Sequence, residues 1–226
     1  KYVKKVTGST TGLYLISLVN GERTFSYWRN NSAAKLLAQS PDDLESAMKD
    51  QDIIYFSGIT LAILDTNSRE NLFSSLKLAR HAGTKIAFDP NIRPKLWTDR
   101  NEMCEVIMAG ANLSDIILPS FEDEAVWFSD TDPNSTLDRY RNVGAETIVV
   151  KNAGKPISFF SEQEMGIHNI KAIEKIVDST AAGDSFNSEI LVGLLRKIPI
   201  NDAINNGVNL AKKVIVGKGA LVPSNV

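Results

Sequence analysis

An acid, Asp184, follows three small residues, Ala181-Ala182-Gly183, at what reads as the start of a helix. Residues 185–196 continue with helix-like apolar spacing. Small residues there leave backbone N–H groups uncovered, and those donors, with the helix dipole, favour an anion. An acid beside an anion site is a poor arrangement for simple binding, because like charges repel. It suits a reaction in which the acid takes up a proton while the N–H groups hold developing negative charge. Phosphoryl transfer to a hydroxyl makes that demand. The plainer reading is capping by Asp178, Ser179 and Thr180, ordinary residues before a helix. The run alone leaves both readings open.

The elements that would position this run show a clear rhythm from residue 52. Short apolar strands over 52–56, 85–88, 115–118 and 147–151 alternate with helices over about 67–82, 99–110, 121–128, 134–143, 182–196 and 201–217. Such alternation predicts an α/β fold with a mostly parallel, doubly wound sheet and helices on both faces. Closer-spaced strands over 156–160 and 166–170 are expected to pair antiparallel at one edge. Upstream, 12–19 and 23–28 read as strands joined by Asn20-Gly21, a strong hairpin signal because both residues accept positive φ. The expected division is a β lid, to which residues 1–30 belong, and an α/β body over 31–226. There is no internal repeat, low-complexity stretch or evident linker.

In open parallel sheets, ligands bind beyond the carboxyl ends of the strands. Polar residues cluster at each expected strand end: Ser57-Gly58-Ile59-Thr60, Asp89-Pro90-Asn91-Ile92-Arg93, Ser120-Phe121-Glu122-Asp123 and Asn152-Ala153-Gly154-Lys155. With the 178–184 run they should open on one edge, the layout of an active site. Arg93 lies between Pro90 and Pro94, which stiffen its loop. A held arginine suits a carboxylate or phosphate, gripped through two N–H groups. A surface loop with an ordinary arginine is the alternative. Tyr27-Trp28-Arg29 could bring aromatic surface and a second cation, or simply end a strand in solvent. Glu122-Asp123-Glu124 reads as an acidic first helical turn, or as support for a magnesium ion that keeps its waters.

Bulk properties exclude other classes. The 226 residues are 43% hydrophobic, enough for a substantial core, and the net charge of −2 argues against nucleic acid as a partner. Cys104 is the only cysteine and sits in a helical pattern, so it reads as a packed thiol, and a cytoplasmic setting follows. No apolar run approaches the ~20 residues of a membrane span, and no signal-peptide pattern is visible. His81 and His168 read as structural or exposed. No Gly-x-Gly-x-x-Gly follows a strand, which sets a dinucleotide-binding dehydrogenase low.

The run Asp178-Ser179-Thr180-Ala181-Ala182-Gly183-Asp184-Ser185-Phe186 resembles the C-terminal signature of the ribokinase-like (PfkB) carbohydrate kinases. Phe88 to Trp97, Gly12-Leu13-Tyr14, Gly21 to Arg29 and Tyr55 to Thr60 are similar to the 2-keto-3-deoxygluconate kinase subgroup, and the likeness spans about 10–223. The resemblance implies a ribokinase-like fold with a small β lid, ATP and Mg2+ as cofactors, and phosphorylation of the primary hydroxyl of the keto acid. It implies Asp184 as the base and the N–H groups of Ala182, Gly183 and Asp184, in the 181–184 turn with Ala181, as an anion hole. Tyr14, Tyr27, Arg29, Ile59 and Arg93 would hold the sugar acid. Asn91, Lys151, Asn152, Ala153, Gly154 and Val208 would border the nucleotide and its phosphate. Ser120 and Asp123 would organise magnesium through water. Subunits would pair through the lid. A neutral-sugar kinase, or a non-catalytic sugar or nucleotide sensor on the same fold, is the alternative.

Some residues depart from the family pattern. Ser120 stands where an Asn is usual and Ala153 where a Gly is usual. Ser188-Glu189 replace small residues behind the base, where Glu189 could raise the pKa of Asp184 by repulsion. The family's N-terminal Gly-Gly-x-x-x-Asn motif is not found before Lys1. The chain alone is therefore expected to be a fragment of the enzyme or poorly folded.

Overall fold

The computed structural model describes residues 2–19, 22–171 and 176–222. Two strands, β1 (Leu13–Val19) and β2 (Glu22–Trp28), pair antiparallel with Tyr14 opposite Tyr27. The Asn20-Gly21 turn lies outside the described residues, as do the side chains of much of this hairpin, Tyr27 included. Arg29 stacks over the Tyr14 ring at 5.3 Å, so these two residues form one unit.

The body holds a six-stranded sheet of β3 (Ile53–Ser57), β4 (Lys85–Asp89), β5 (Ile116–Ile117), β6 (Thr147–Val150), β7 (Ile157–Ser161) and β8 (Glu164–His168), in that spatial order. The first four run parallel, and β7 and β8 add antiparallel at one edge. β4 and β6 are almost wholly buried, as near-continuous apolar strands covered on both faces should be. One face is covered by α1 (Pro41–Met48), α2 (Gly58–Ile63), α3 (Thr66–His81), α4 (Arg100–Asn112), α5 (Phe121–Phe128) and α6 (Pro133–Asn142). Its core includes Leu61, Leu76, Phe88, Ile107 and Tyr140. The other face is covered by α7 (Ala182–Leu195) and α8 (Ile200–Ile215), over Ala87, Leu118, Val149, Ile190 and Ile204.

The helices begin where local chemistry allows. Asp65, Asp99 and Asp132 each accept from a backbone N–H in the first turn of α3, α4 and α6, caps worth about 1 kcal/mol each. Two helices were not anticipated. Ser40 caps α1, with Pro41 in its first turn. The stretch expected as a loop after β3 is instead α2, which starts directly at Gly58. A Cβ on Gly58 would stand 1.9 Å from the Pro90 carbonyl oxygen and 2.7 Å from Ile107 Cδ1. Only glycine permits that approach, which brings the Ile59 turn against the Asp89–Arg93 loop.

Candidate active site

The carboxyl ends of β3, β4, β5 and β6 and the N-terminus of α7 converge on one cluster, as the strand-end pattern predicts. Asp89 closes β4, and its side chain is 5% exposed. Its Oδ1 accepts the Asn91 N–H at 3.0 Å, and its Oδ2 accepts from Lys151 Nζ at 2.9 Å and Asn187 Nδ2 at 2.6 Å. Asn187 also accepts from Lys151 Nζ at 3.0 Å and donates to Tyr55 Oη at 3.2 Å. Four elements are thereby tied together.

This contact requires a short β5. Strands two apart in a sheet are separated by roughly 10 Å, and β4 and β6 have β5 between them. β5 spans only Ile116–Ile117, and Lys151, one residue beyond β6, reaches across to Asp89. Backbone bonds fix its root: Lys151 N–H donates to Pro119 O at 2.9 Å, and Phe121 N–H donates to Lys151 O at 2.8 Å.

The α7 terminus is held from behind. The Asp178 carboxylate accepts from Thr180 N–H at 2.9 Å and its hydroxyl at 2.6 Å, and from Gly219 N–H at 3.1 Å. Asp178, Ser179 and Thr180 do not cap α7 itself: its N-cap is Ala181, with no side-chain cap bond, and Asp178 closes the turn before it. Ala181, at φ 61°, takes a left-handed conformation to enter α7. The Ala182 N–H donates to Ser179 O at 3.3 Å. The expected three-donor hole therefore narrows to Gly183 and Asp184, whose N–H groups have no described backbone acceptor. Asp184 is exposed beside them. Glu189 comes five positions later, which turns it about 140° around the helix from Asp184, so it does not stack on the acid.

Arg93 and Asp123, expected to serve the sugar and the metal, lie against one another with Nη1 to Oδ2 at 3.6 Å. Arg93 Nη1 also donates to Ile92 O at 2.8 Å. Burial pushes the Asp123 carboxyl upward and Asp89 adds to that, while Arg93 and Lys151 pull it back. Burial, reinforced by Asp89, keeps the Tyr55 phenol neutral well above its ordinary range.

The remaining expected residues divide. Ile59 sits half-buried in the first turn of α2. Asn91 takes φ 35° in the Asp89 loop. Asn152 donates to Pro156 O at 3.2 Å and shapes the turn that carries Ala153 (φ 42°) and Gly154 (φ 83°). Ser120 precedes α5 with its hydroxyl making no cap bond. Val208 is buried and packs in the core with Phe186 and Ile190. His81 and His168 bond to Lys77 O and Asn201, and Cys104 packs with its Sγ 3.6 Å from Trp127 O, its thiol pushed up by burial. Asn187 and Tyr55, which join this cluster, were not singled out from the sequence, and Asp89 was passed over within its loop. Asn187 had a signal, because it lies three positions after Asp184 on the same helix face.

The site fits a nucleotide and magnesium by its donor set. Gly183 leaves open space, with only Lys151 Nζ near a would-be Cβ, at 3.9 Å. Among the described residues no group of three acidic or imidazole side chains could cage a metal. Magnesium held by one carboxylate, waters and substrate phosphates needs no such cage, and Asp123 with Ser120 supplies that sparser set.

A mostly parallel sheet with open helix-terminal amides and an exposed acid at its carboxyl edge defines an α/β protein whose site suits an anionic ligand. The model of the pfkB family of carbohydrate kinases matches residues 1–225, and the chain belongs to that family. A Haemophilus influenzae 2-dehydro-3-deoxygluconokinase is 39% identical over 217 residues, covering 93% of this chain and 69% of that protein. Fructokinase-type relatives from Arabidopsis thaliana are more distant, at 28–29% identity. Among solved structures, a PfkB protein from Polaromonas superposes with a TM-score of 0.80 at 26% identity over 92% of this chain and 68% of that one. An Escherichia coli protein of the ribokinase type, crystallised with ATP and Mg2+, shares the fold with a TM-score of 0.77 at 21% identity, covering 91% of this chain and 65% of its own.

Proposed function

We propose that the protein transfers a phosphoryl group from ATP to the primary hydroxyl of 2-dehydro-3-deoxygluconate, the compound also called 2-keto-3-deoxygluconate. The observation that carries this reading is the 39% identity to a kinase of that substrate, joined to an acid, Asp184, beside open amides at the sheet edge. ATP supplies the phosphoryl group; Asp123 and Ser120 would hold magnesium through water, where it would offset the charge of the phosphates.

The chain's own residues do the rest. Asp184 accepts the proton of the attacking hydroxyl as general base. The Gly183 and Asp184 N–H groups hold the negative oxygens that the transfer concentrates at the α7 terminus. Ala181 sets the entry angle of that turn. Arg93 grips the substrate carboxylate, exchanging its contact with Asp123 for one with two N–H groups. Ile59 gives the sugar an apolar wall. Tyr14, Tyr27 and Arg29 close over it from the lid hairpin, residues 1–30 forming part of that lid and 31–226 the catalytic body. Asn91 lies near the transferring phosphate, and Asn152, Ala153 and Gly154 turn backbone toward the nucleotide.

The exposed Leu13, Leu15 and Trp28 of the hairpin favour pairing of two copies through the lid. No described helix is long and apolar enough to cross a membrane. With a single unpaired cysteine, a cytoplasmic setting fits this reading.

ADP release with ATP, magnesium and 2-dehydro-3-deoxygluconate tests the reading, with fructose and ribose alongside. Turnover with the keto acid alone is the expected result. Turnover with a neutral sugar in preference to it would overturn the substrate while keeping the family.

A further inference from the structure

Arg69 is a buried cation outside the site described above. It is the fourth residue of α3, where the partial positive charge of a helix N-terminus disfavours a cation. Its side chain is 14% exposed, and its Nε is buried without an acceptor among the described residues. Two contacts lie at its tip. The guanidinium sits over the Trp97 ring, 5.6 Å from the centroid, and Nη2 donates to Glu102 Oε1 at 2.8 Å. Glu102 is half-exposed, so the ion pair alone adds little stability. An arginine placed for stability alone would turn its Nε to water or an acceptor. Here the side chain forgoes that bond to keep its face on Trp97.

The position of Trp97 explains the placement. Trp97 closes the short helical turn Pro94–Leu96 that begins at Arg93. Leu96 N–H donates to Arg93 O at 2.9 Å, and Trp97 N–H donates to Pro94 O at 3.0 Å. Trp97 and Arg93 are thus the two ends of one hydrogen-bonded turn. The Arg93 side chain is itself half-exposed, so its reach is set by where its backbone root is held. Buried Ile92 anchors the root on the N-terminal side. On the C-terminal side, Trp97 packs partly on the core and borders an open notch of about 200 Å3 lined by Pro94, Met103 and Trp127. The notch leaves the turn without a wedge on that flank, and α3 holds it through Arg69. Glu102 lies in the first turn of α4, its N–H donating to the Asp99 cap at 2.8 Å. The same guanidinium therefore also ties down the far end of the link that leaves Trp97.

We propose that Arg69 is a positioning residue for recognition of the sugar acid: stacked on Trp97 and paired with Glu102, it fixes the Pro94–Leu96 turn and so the point from which Arg93 meets the substrate carboxylate. The inference rests on the reading of Arg93 as the group that grips that carboxylate.

Calorimetric titration with 2-dehydro-3-deoxygluconate and, separately, with its analogue carrying a primary alcohol in place of the carboxylate gives a carboxylate preference as a ratio of dissociation constants. Wild-type protein prefers the keto acid. Arg69→Met and Trp97→Leu break one contact from its two sides. Each should shrink the preference about three- to fivefold, within the span of couplings between residues that share a network, and less than removing Arg93 does. MgADP affinity should stay at the wild-type value. Combination of either change with Arg93→Ala separates positioning from packing, because a residue that acts through Arg93 then has nothing left to act on. The double variant should show the preference of Arg93→Ala alone. A further loss in the double variant, or an unchanged preference in whichever single variant folds, reduces Arg69 to packing and overturns the proposal. A fall in Tm with both ligands weakened alike does the same. Wild-type protein that binds the two ligands equally overturns instead the reading of Arg93 beneath it.

Discussion

Lys151–Asp89–Asn187 beneath α7 and Glu124–Arg139–Asp130–Tyr140 behind α5 are both buried polar knots, and they are finished differently. In the first, both oxygens of Asp89 and both the oxygen and the two N–H donors of Asn187 have partners, and the spare donor belongs to a cation at the site opening. In the second, Glu124 is wholly buried. Its Oε2 accepts from Arg139 at 2.8 Å and from Tyr140 at 3.0 Å, while its Oε1 has no partner. Arg139 also pairs with Asp130 and stacks over Phe128 at 3.9 Å. The α5 knot fastens α5, which carries Asp123, to α6. Its spare valence faces the interior and costs stability, whereas the spare valence under α7 faces a place where a ligand can complete it. A buried network with one unfilled position is therefore informative by where that position points.

The largest effects should separate the two knots. Arg139→Met removes the cation that two buried carboxylates share, and leaving a buried charge unpaired costs about 3–5 kcal/mol. Urea unfolding should show a loss of that order, with MgADP binding retained in whatever fraction stays folded. Asp184→Asn should do the reverse. The residue is exposed at the start of α7, so unfolding should hardly change. Turnover should fall about 100- to 10,000-fold if Asp184 is the general base, with MgADP binding intact. Turnover within tenfold of wild type would remove it from that role.

The α5 knot also carries a pH signature. Burial, only partly opposed by Arg139, pushes the Glu124 carboxyl from its ordinary 4.5 up to about 7. The native state thus holds a proton that the unfolded chain releases. Stability should fall as pH rises from about 4.5 to about 7, with the full penalty, on the order of 3 kcal/mol, present above pH 7. Glu124→Gln should flatten that slope in unfolding measured from pH 5 to 8. A slope unchanged in the variant would assign it to other groups.

Arg93 offers a subtler contrast within the site. It is half-exposed and lies 3.6 Å from Asp123, so removing it should cost little stability. Arg93→Ala should raise KM about tenfold or more for the keto acid, the loss of a charge-assisted pair. A reduced analogue lacking the carboxylate should lose far less. Equal losses would mean that Arg93 reads something other than the carboxylate.

Much of this layout was legible before any coordinates. The strand–helix alternation placed β3, β4, β6 and β7 within about a residue of their ends, because buried parallel strands are apolar runs bounded by polar turns. The convergence of strand ends followed from topology. What escaped notice had physical causes. α2 is six residues long and starts directly from β3, with no loop between to mark it. α1 carried a legible Ser40-Pro41 start but only two turns of pattern. The Asp89–Lys151 pair joins residues 62 apart across an intervening strand, and no local spacing encodes that contact. Val208 was placed beside the nucleotide, yet its spacing in α8 from Ala203 and Ile204 is that of a helix face turned to the core.

The smallest effect concerns Ala181, and its size is set by two opposing terms. At φ 61° and ψ 10° this alanine sits in the left-handed region, which costs a residue with a Cβ about 1–2 kcal/mol. Glycine would remove that strain but add about 0.4–1 kcal/mol of unfolded-state entropy. The difference favours Ala181→Gly by about 0.5 kcal/mol, a shift of about 1–2 °C in Tm for a chain of this size. Lys197, at φ 54° in the turn between α7 and α8, is a control of the same backbone type outside the candidate site. If strain alone operates, the two glycine variants should gain alike and leave MgADP affinity unchanged. A gain in Tm at 181 coupled to weaker MgADP binding, with no such coupling at 197, would show that the strained alanine keeps the Gly183 and Asp184 amides aimed before the ligand arrives.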